Sequence, residues 1–117
     1  MPGYPNGTND ESLLGNIAWC SDNSGEETHA VGGKAANAFG MYDMSGNVLE
    51  WCNDWYCNYM YIDFGRIQPT GPTTGRDRVL RGGGWHVTST YCRSSDRYDG
   101  DPDDRYNDIG FRVARTP

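Results

Sequence analysis

The sequence predicts a small, loop-rich α+β fold, and three observations lead to that expectation. The chain has 117 residues, which suits one domain over residues 1–117 with one modest core. Aromatic residues make up 13% of a polar chain, and their large side chains can hold together a domain with little regular structure. Short apolar segments alternate with turns rich in Gly, Pro and Asn, and no long amphipathic helix is visible.

The N-terminal third predicts one short helical turn and one strand. Asp10 is a candidate cap for a turn over Glu11–Leu14 that ends at Gly15. The apolar segment Ile17–Cys20 is a strand candidate. Residues 21–40 have the composition of a loop, with Gly and Asn at several turn positions.

The rest of the chain predicts three strand segments separated by loops. Residues 41–56 are expected to form a turn that leads into a short strand, and residues 57–77 form a connector broken by Pro and Gly. The segment Arg78–Trp85 predicts a strand, and its Gly triplet indicates close approach of another backbone. The last strand, Ile109–Thr116, is expected to point alternate apolar side chains inward, namely Ile109, Phe111 and Val113.

The charge balance excludes two classes of partner. A net charge of −6 and a pI of about 4.6 argue against general binding to nucleic acid or to an anionic membrane surface. No apolar run has the length of a membrane span, and the first residues do not have the pattern of a signal peptide. A cytoplasmic location is therefore the default expectation, with display on a cell surface as the alternative.

The cysteines do not predict a zinc site. Cys20, Cys52, Cys57 and Cys92 form no CxxC pair, and the two histidines stand far apart. Buried free thiols and disulfides, including a Cys52–Cys92 pair, both remain open at this stage.

Three segments carry a family resemblance. The stretches "NAFGMYDMSGNVLEW" (Asn37–Trp51), "RVLRGGGW" (Arg78–Trp85) and "IGFRVA" (Ile109–Ala114) resemble, in this order, the formylglycine-generating-enzyme or sulfatase-modifying-factor domain family. The resemblance implies a variant of the C-type lectin fold, with a small antiparallel sheet, one or two short helices and many loops. It spans nearly the whole chain but only the C-terminal half of a typical family domain. The face that the other half would cover is a candidate surface for self-association.

The resemblance does not extend to the catalytic residues of the family. Formylglycine-generating enzymes use two cysteines just after the Gly-rich strand to bind copper and activate oxygen. Here the stretch "GWHVTSTYC" contains Cys92 alone, beyond the expected pair, and His86 is its only histidine. The expectation is a non-enzymatic domain that requires no cofactor. A minimal or fragmentary formylglycine-generating-enzyme-like domain with oxidoreductase ancestry remains the alternative.

Residues 86–108 are similar to the diversified segment of another branch, the variable proteins of diversity-generating retroelements. In that branch Asn codons are randomised at adenines, whereas a fixed set of frame residues keeps the fold. The frame residues present here are Trp85, Cys92, Arg93, Arg97, Pro102, Asp103, Arg105 and Ile109–Arg112. The positions between them hold only residue types that an Asn codon reaches through adenine changes. They are His86, Val87, Thr88, Tyr91, Asp96, Tyr98, Asp99, Gly100, Asp101, Asp104, Tyr106, Asn107 and Asp108.

These thirteen display positions are predicted to bind an unidentified protein or other macromolecule. Frame side chains would form the fold: Trp85, Ile109 and Phe111 in the core, and Arg93, Arg97 and Arg105 as donors to loop carbonyls. Tyrosines among small polar neighbours are typical of binding surfaces, and the aspartates favour a basic or amide-rich partner. The alternative is a solvated acidic loop without a partner.

A structural calcium site is a further implication of the resemblance. The related segment of the enzymes binds calcium at positions that correspond to Asp43, Gly46, Val48 and Glu50. Carboxylate and carbonyl oxygens are the ligands that Ca²⁺ prefers. The alternative is that Asp43 caps its own turn and Glu50 forms a buried hydrogen bond or salt bridge.

Overall fold

A four-stranded sheet organises the fold in the computed structural model, which describes residues 10–57 and 71–117. The strands are β1 (Leu49–Trp55), β2 (Arg78–Arg81), β3 (Arg97–Gly100) and β4 (Ile109–Gly110), in the spatial order β3-β2-β1-β4. The β1–β2 and β2–β3 pairs are antiparallel, whereas β4 runs parallel to β1. The predicted small sheet in a loop-rich α+β fold is confirmed, and the sheet is mixed rather than wholly antiparallel.

The first 3-10 helix, Glu11–Asn16, begins where the sequence predicts. The Asp10 carboxylate accepts the Ser12 N–H at 2.9 Å, which satisfies one of the free donors of the first turn. The helix extends further than expected, to Asn16, and the Ile17 N–H donates to the Leu14 carbonyl at 2.9 Å. A second 3-10 helix spans Ser89–Cys92.

The strand predicted at Ile17–Cys20 is wrong. The segment is irregular, although Ala18 and Cys20 are buried as a strand pattern would require. The side chain of Asn23 takes the place of a neighbouring strand, because it accepts the Cys20 N–H at 2.9 Å and donates to the Ala18 carbonyl at 3.0 Å. A short polar side chain that bonds nearby backbone groups competes with regular structure in this way.

The last strand is also much shorter than predicted, and its alternation is wrong. Only Ile109 and Gly110 pair with β1, and the chain then leaves the sheet. Phe111 is 77% exposed and Val113 is 83% exposed, so neither belongs to the core. Trp85 and Ile109 are half-buried rather than core residues. The residue that faces the protein is Arg112, whose polar contacts set the direction of the chain here.

The core is small and contains two thiols. Its main cluster consists of Leu14, Ala18, Cys20 and Cys92, and Ile17 and Val87 pack against it. Leu49, Val79 and Leu80 are buried on the sheet. All four cysteines are free thiols, as the first of the two sequence alternatives expects.

The Gly triplet after β2 lies against another backbone, as predicted. Gly83 has a φ of 72°, and a Cβ there would lie 2.5 Å from Cys92 Sγ. Because the second 3-10 helix passes this close, only a residue without a side chain fits. In the two described ranges no helix has the length and apolar character needed to cross a bilayer.

Replacing Gly83 with Ala is expected to destabilise the fold strongly. The new methyl group would overlap Cys92, and an alanine would be strained at this φ, so we expect a loss of about 2 kcal/mol or more in the free energy of unfolding. Chemical denaturation measures this change. Gly33→Ala is the matched control, because its nearest neighbour would be a carbonyl oxygen at an ordinary 3.5 Å. Equal stability of both variants would contradict the close approach.

Candidate functional site

The segment 86–108 is more regular than its composition suggests. It contains the second 3-10 helix and β3, which pairs with β2 in the register Val79↔Asp99 and Leu80↔Tyr98. A tight turn follows, in which the Asp104 N–H donates to the Asp101 carbonyl at 2.9 Å. The central part of the segment is therefore a paired strand, which its polar composition does not indicate.

Cys92 anchors the first third of the segment. Its side chain has no exposed surface, and its carbonyl accepts the Ser45 hydroxyl at 2.9 Å. Burial, with smaller contributions from Cys20 and Asp96, raises the pKa of the Cys92 thiol to about 12. A thiol in this state packs as an apolar group rather than reacting as a nucleophile.

Arg97 anchors the start of β3, as the sequence predicts. Its guanidinium donates to the Cys57 carbonyl and lies 4.8 Å from the ring centroid of Tyr56. On the neighbouring strand Arg81 donates to the Ser94 carbonyl at 2.9 Å. Arg97 thus ties the segment to the chain just after β1, and Arg81 supports the backbone of the segment at Ser94, since each planar guanidinium offers several donors. Arg105, expected to have the same role, is exposed.

None of the thirteen display positions is buried. Six are exposed: His86, Thr88, Tyr91, Asp99, Tyr106 and Asn107. Seven are half-buried: Val87, Asp96, Tyr98, Gly100, Asp101, Asp104 and Asp108. Whether they bind a ligand stays a prediction, but their exposure differs clearly from that of Cys92.

Several display residues contact one another. The rings of Tyr91 and Tyr98 lie 6.3 Å apart at an angle of 52°. Burial, together with Asp96 and Tyr91, raises the pKa of Tyr98 to about 12. Tyr91 is 51% exposed, so its ring is supported from one side and open to solvent on the other. A rigid, partly exposed aromatic ring can anchor a partner at low entropic cost.

A second group of display residues lies at the two ends of the segment. His86 Nε2 and Asp108 Oδ2 are 3.4 Å apart, and the indole N–H of Trp85 donates to the Asn107 carbonyl at 3.4 Å. These contacts bring the first and last display positions together.

Two display positions have a packing role that sequence reasoning missed. Val87 packs against the core cluster. A Cβ on Gly100 would lie 2.9 Å from the ring of Trp51 and 3.0 Å from Leu80 Cδ1, so this position offers its backbone rather than a side chain. For Gly100, the sequence signal of an inward position is the two-residue alternation of side chains along β3. This alternation is informative only once residues 97–100 are known to form a strand.

The four predicted metal positions lie around one cavity. Asp43, Gly46, Val48 and Glu50 all line a groove of about 390 Å³. Asp43 is only 8% exposed; its Oδ2 accepts the Gly32 N–H at 2.8 Å, and its buried Oδ1 has no hydrogen-bond partner. An unpaired buried carboxylate oxygen is costly unless a cation or donor reaches it.

Glu50 is engaged by an internal cation. Arg112 donates to both Glu50 oxygens, at 2.8 and 3.1 Å, and to the carbonyls of Tyr42 and Asp43. This salt bridge is the alternative that the sequence left open for Glu50. A calcium ion would have to share the Glu50 carboxylate with Arg112. Residues 10–57 and 71–117 contain no cluster of three or more Asp, Glu, His or Cys able to hold a metal. The calcium site stays a prediction.

Comparison with known proteins identifies the family. The profile of the sulfatase-modifying factor enzyme 1-like domain matches residues 4–117. The chain belongs to this family. The formylglycine-generating enzyme of Streptomyces coelicolor is 40% identical over 81 residues, which are 67% of this chain but 26% of the enzyme. The serine/threonine-protein kinase pkn1 of Chlamydia caviae is 39% identical over 92 residues, which are 76% of this chain and 15% of that protein.

Solved structures extend the likeness to another branch of the family. Treponema denticola variable protein 1 matches with a TM-score of 0.80 and 44% identity over 90% of this chain and 38% of its own. PvdO from Pseudomonas aeruginosa matches with a TM-score of 0.71 and 27% identity over 93% of this chain and 42% of its own. The resemblance to the formylglycine-generating-enzyme family and its variable proteins, and the C-type lectin-like α+β fold, are thereby confirmed. The chain spans less than half of the length of each of these four relatives.

Replacing Gly100 with Ala is expected to lower stability, whereas Asp99→Ala leaves it nearly unchanged. The methyl group added at position 100 would overlap Trp51 and Leu80, which we expect to cost about 1–3 kcal/mol in the free energy of unfolding. Asp99 is exposed on the same strand, so its change should stay within about 0.5 kcal/mol. Denaturant titration of both variants checks this, and a neutral Gly100→Ala would show that the position is freely variable.

If calcium binds beside Asp43, its addition should raise the melting temperature and EDTA should lower it. The ion would take the unpaired Asp43 Oδ1, and a ligand that binds only the native state stabilises it. Differential scanning calorimetry of the chain and of Asp43→Asn measures this, since the variant should lose the response. An identical melting temperature with calcium and with EDTA would exclude the site.

Proposed function

We propose that the chain is a ligand-binding variable protein of a diversity-generating retroelement. It would act by binding without chemistry, and the display positions, apart from the inward-packed Val87 and Gly100, would form the contact surface for a protein or other macromolecular partner. Different residues on one backbone would then meet different partners, because the frame, and not the displayed side chains, determines the fold.

The observation that carries this proposal is the contrast in burial along one segment. Cys92 is wholly buried and Arg97 is bonded to a distant carbonyl, whereas six display positions between Trp85 and Ile109 are exposed. Substitutions at exposed positions usually change stability by only a few tenths of a kcal/mol, so such a surface can vary without unfolding. The match to a variable protein at 44% identity supports the same conclusion.

The exposed side chains favour a basic or amide-rich partner surface. Tyr91 and Tyr106 are 51% and 61% exposed, and aromatic side chains of this kind often dominate binding energy. Asp99, another display residue, is also exposed, and the chain as a whole carries a net charge of −6. Complementary charge on the partner would speed association and disfavour acidic competitors.

The enzymatic alternative has less support from the residues. Several relatives are formylglycine-generating enzymes, but catalysis by a thiol needs an accessible thiolate. Burial raises the pKa of the Cys92 thiol to about 12, so the thiol is protonated near neutral pH, and it has no exposed surface. The proposal therefore assigns this chain no catalytic residue.

The gene of this protein is expected to lie near a reverse transcriptase gene and a near-copy of its own 3′ coding segment. The near-copy should match the codons for about residues 80–112 and differ from them only at adenines, because the display positions hold residue types that Asn codons reach in this way. Sequencing of the locus checks this.

Two results would count against the proposal. One is a locus without such a near-copy. The other is copper-dependent oxygen consumption with a cysteine-containing sulfatase peptide as substrate, which would favour the enzymatic alternative.

A further inference from the structure

The connection between the second 3-10 helix and β3 brings two tyrosines of the display segment together. It contains a tight turn, in which the Asp96 N–H donates to the Arg93 carbonyl at 3.1 Å. Tyr91 on the helix thereby meets Tyr98 on the strand, with their ring centroids 6.3 Å apart. Three display residues that lie five to seven positions apart in the sequence at most are thus gathered at one place on the surface.

The lower of the two rings is held in place by the sheet. Tyr98 is paired with Leu80 on β2, and side chains that lie directly opposite each other on antiparallel strands point to the same face. Because Leu80 is only 3% exposed, Tyr98 packs on a buried part of the sheet and is itself half-buried. The Tyr91 ring, which is 51% exposed, therefore rests on a fixed support and keeps its outer part open to solvent.

A carboxylate lies beside the two rings. Asp96 is half-buried, and after burial its charge is the largest of the causes that raise the pKa of Tyr98 to about 12. The Tyr98 hydroxyl is therefore protonated near neutral pH, and Asp96 supplies the negative charge at this place. The salt bridges within the part of the chain that the structure describes use other carboxylates.

Elsewhere the chain covers aromatic rings with its own arginines. The Arg78 guanidinium carbon lies 3.5 Å from the Trp55 ring centroid, and that of Arg97 lies 4.8 Å from the Tyr56 centroid. The electron-rich face of an aromatic ring attracts a cation in this way. Among the described residues no lysine or arginine lies over Tyr91, so the open part of its ring is accessible to a cation from outside.

We propose that Tyr91, Asp96 and Tyr98, here termed the arginine subsite, bind an arginine side chain of a polypeptide partner. A planar guanidinium can stack on the Tyr91 ring and at the same time donate hydrogen bonds to the Asp96 carboxylate. The ammonium group of lysine is a compact, strongly hydrated charge that offers no flat surface for stacking, so arginine is the better fit. The net charge of −6 favours the approach of a basic segment.

The inference rests on the proposed function, because all three residues of the arginine subsite are display positions, and it narrows the partner to one chemistry. The partner of this particular chain is a polypeptide with an exposed arginine. A variant of the same scaffold with other residues at positions 91, 96 and 98 would not share this preference.

Titration with blocked amino acids tests the inference on the whole 117-residue chain. N-acetyl-arginine N-methylamide is added to protein with isotope-labelled tyrosine rings, and NMR follows the ring signals. The corresponding derivatives of citrulline, which is the uncharged isostere, and of lysine are the matched probes.

Two variants remove one contact each, and two others are their controls. Tyr91→Ser removes the stacking surface, and Asp96→Asn removes the charge without a change of shape. Tyr106→Ser is the control for the first, because Tyr106 is an exposed tyrosine next to β4, at the other edge of the sheet. Asp99→Asn is the control for the second, because it changes the net charge equally and its side chain points to the opposite face from that of Tyr98.

The ring signals of Tyr91 and Tyr98 should shift saturably with the arginine derivative. The citrulline derivative should bind at least about tenfold more weakly, because it lacks the charge that both contacts use, and the lysine derivative should also bind more weakly. Tyr91→Ser and Asp96→Asn should each weaken arginine binding at least about fivefold, whereas both controls should stay within about twofold of the unsubstituted chain.

Three results would overturn the inference. They are the absence of a saturable shift, an affinity for citrulline or lysine equal to that for arginine, and equal losses in Asp96→Asn and Asp99→Asn, since binding would then follow the overall charge. The proposed function is judged separately at the gene locus. A near-copy that differs at adenines, found together with no arginine preference, refutes only the inference, and arginine binding without a near-copy refutes only the proposed function.

Discussion

The hydrogen bonds of Arg112 are the contact on which the rest of the structure depends. The guanidinium joins the end of the chain to Glu50 on β1 and to the turn before it, although these residues are 62 to 70 positions apart. The strand β4 contributes only two paired residues, so the ladder alone holds the C-terminus weakly. A bidentate arginine–carboxylate pair, extended by two carbonyl acceptors, supplies direction as well as attraction.

The turn before β1 and the first residue of β1 also bind both ends of the segment 86–108. The Trp85 N–H donates to the Asn47 carbonyl at 2.9 Å, and the Leu49 N–H donates to the Asp108 carbonyl at 2.7 Å. Residues 86–108 therefore form a long excursion whose two ends meet at one short stretch of β1 and its preceding turn. With its ends fixed and Cys92 buried in its first third, the segment has a defined path that does not require its exposed side chains. This separation is what would allow one scaffold to present different surfaces.

The sequence correctly predicted those structural elements that are determined by residues close together in the chain. The Asp10 cap, the strands at β1 and β2 and the close approach at Gly83 each follow from a few neighbouring residues. The unpredicted features depend on distant partners. Residues 97–100 form a strand because β2 offers an edge, and nothing in their own composition indicates this.

The same distinction applies to the candidate site. Tyr91, Tyr106 and Asp99 are exposed, as their spacing against the frame predicts. The inward roles of Val87 and Gly100 arise instead from contacts with other elements. Phe111 was expected in the core because alternation in a strand predicts burial. The strand ends at Gly110, so beyond that residue the alternation of apolar residues no longer predicts which side chains are buried.

The central claim is that the frame alone specifies the fold, and two matched libraries test it most directly. One library randomises the six exposed display positions together, which are His86, Thr88, Tyr91, Asp99, Tyr106 and Asn107. The other, the frame library, applies the same codons to the three frame residues Cys92, Arg97 and Arg112 and to three buried residues of the sheet that supports them, Leu49, Val79 and Leu80. The measurement is the fraction of surface-displayed variants that resist protease. The account predicts that more than about half of the display library stays folded and that nearly all of the frame library does not; similar fractions in the two libraries would contradict it.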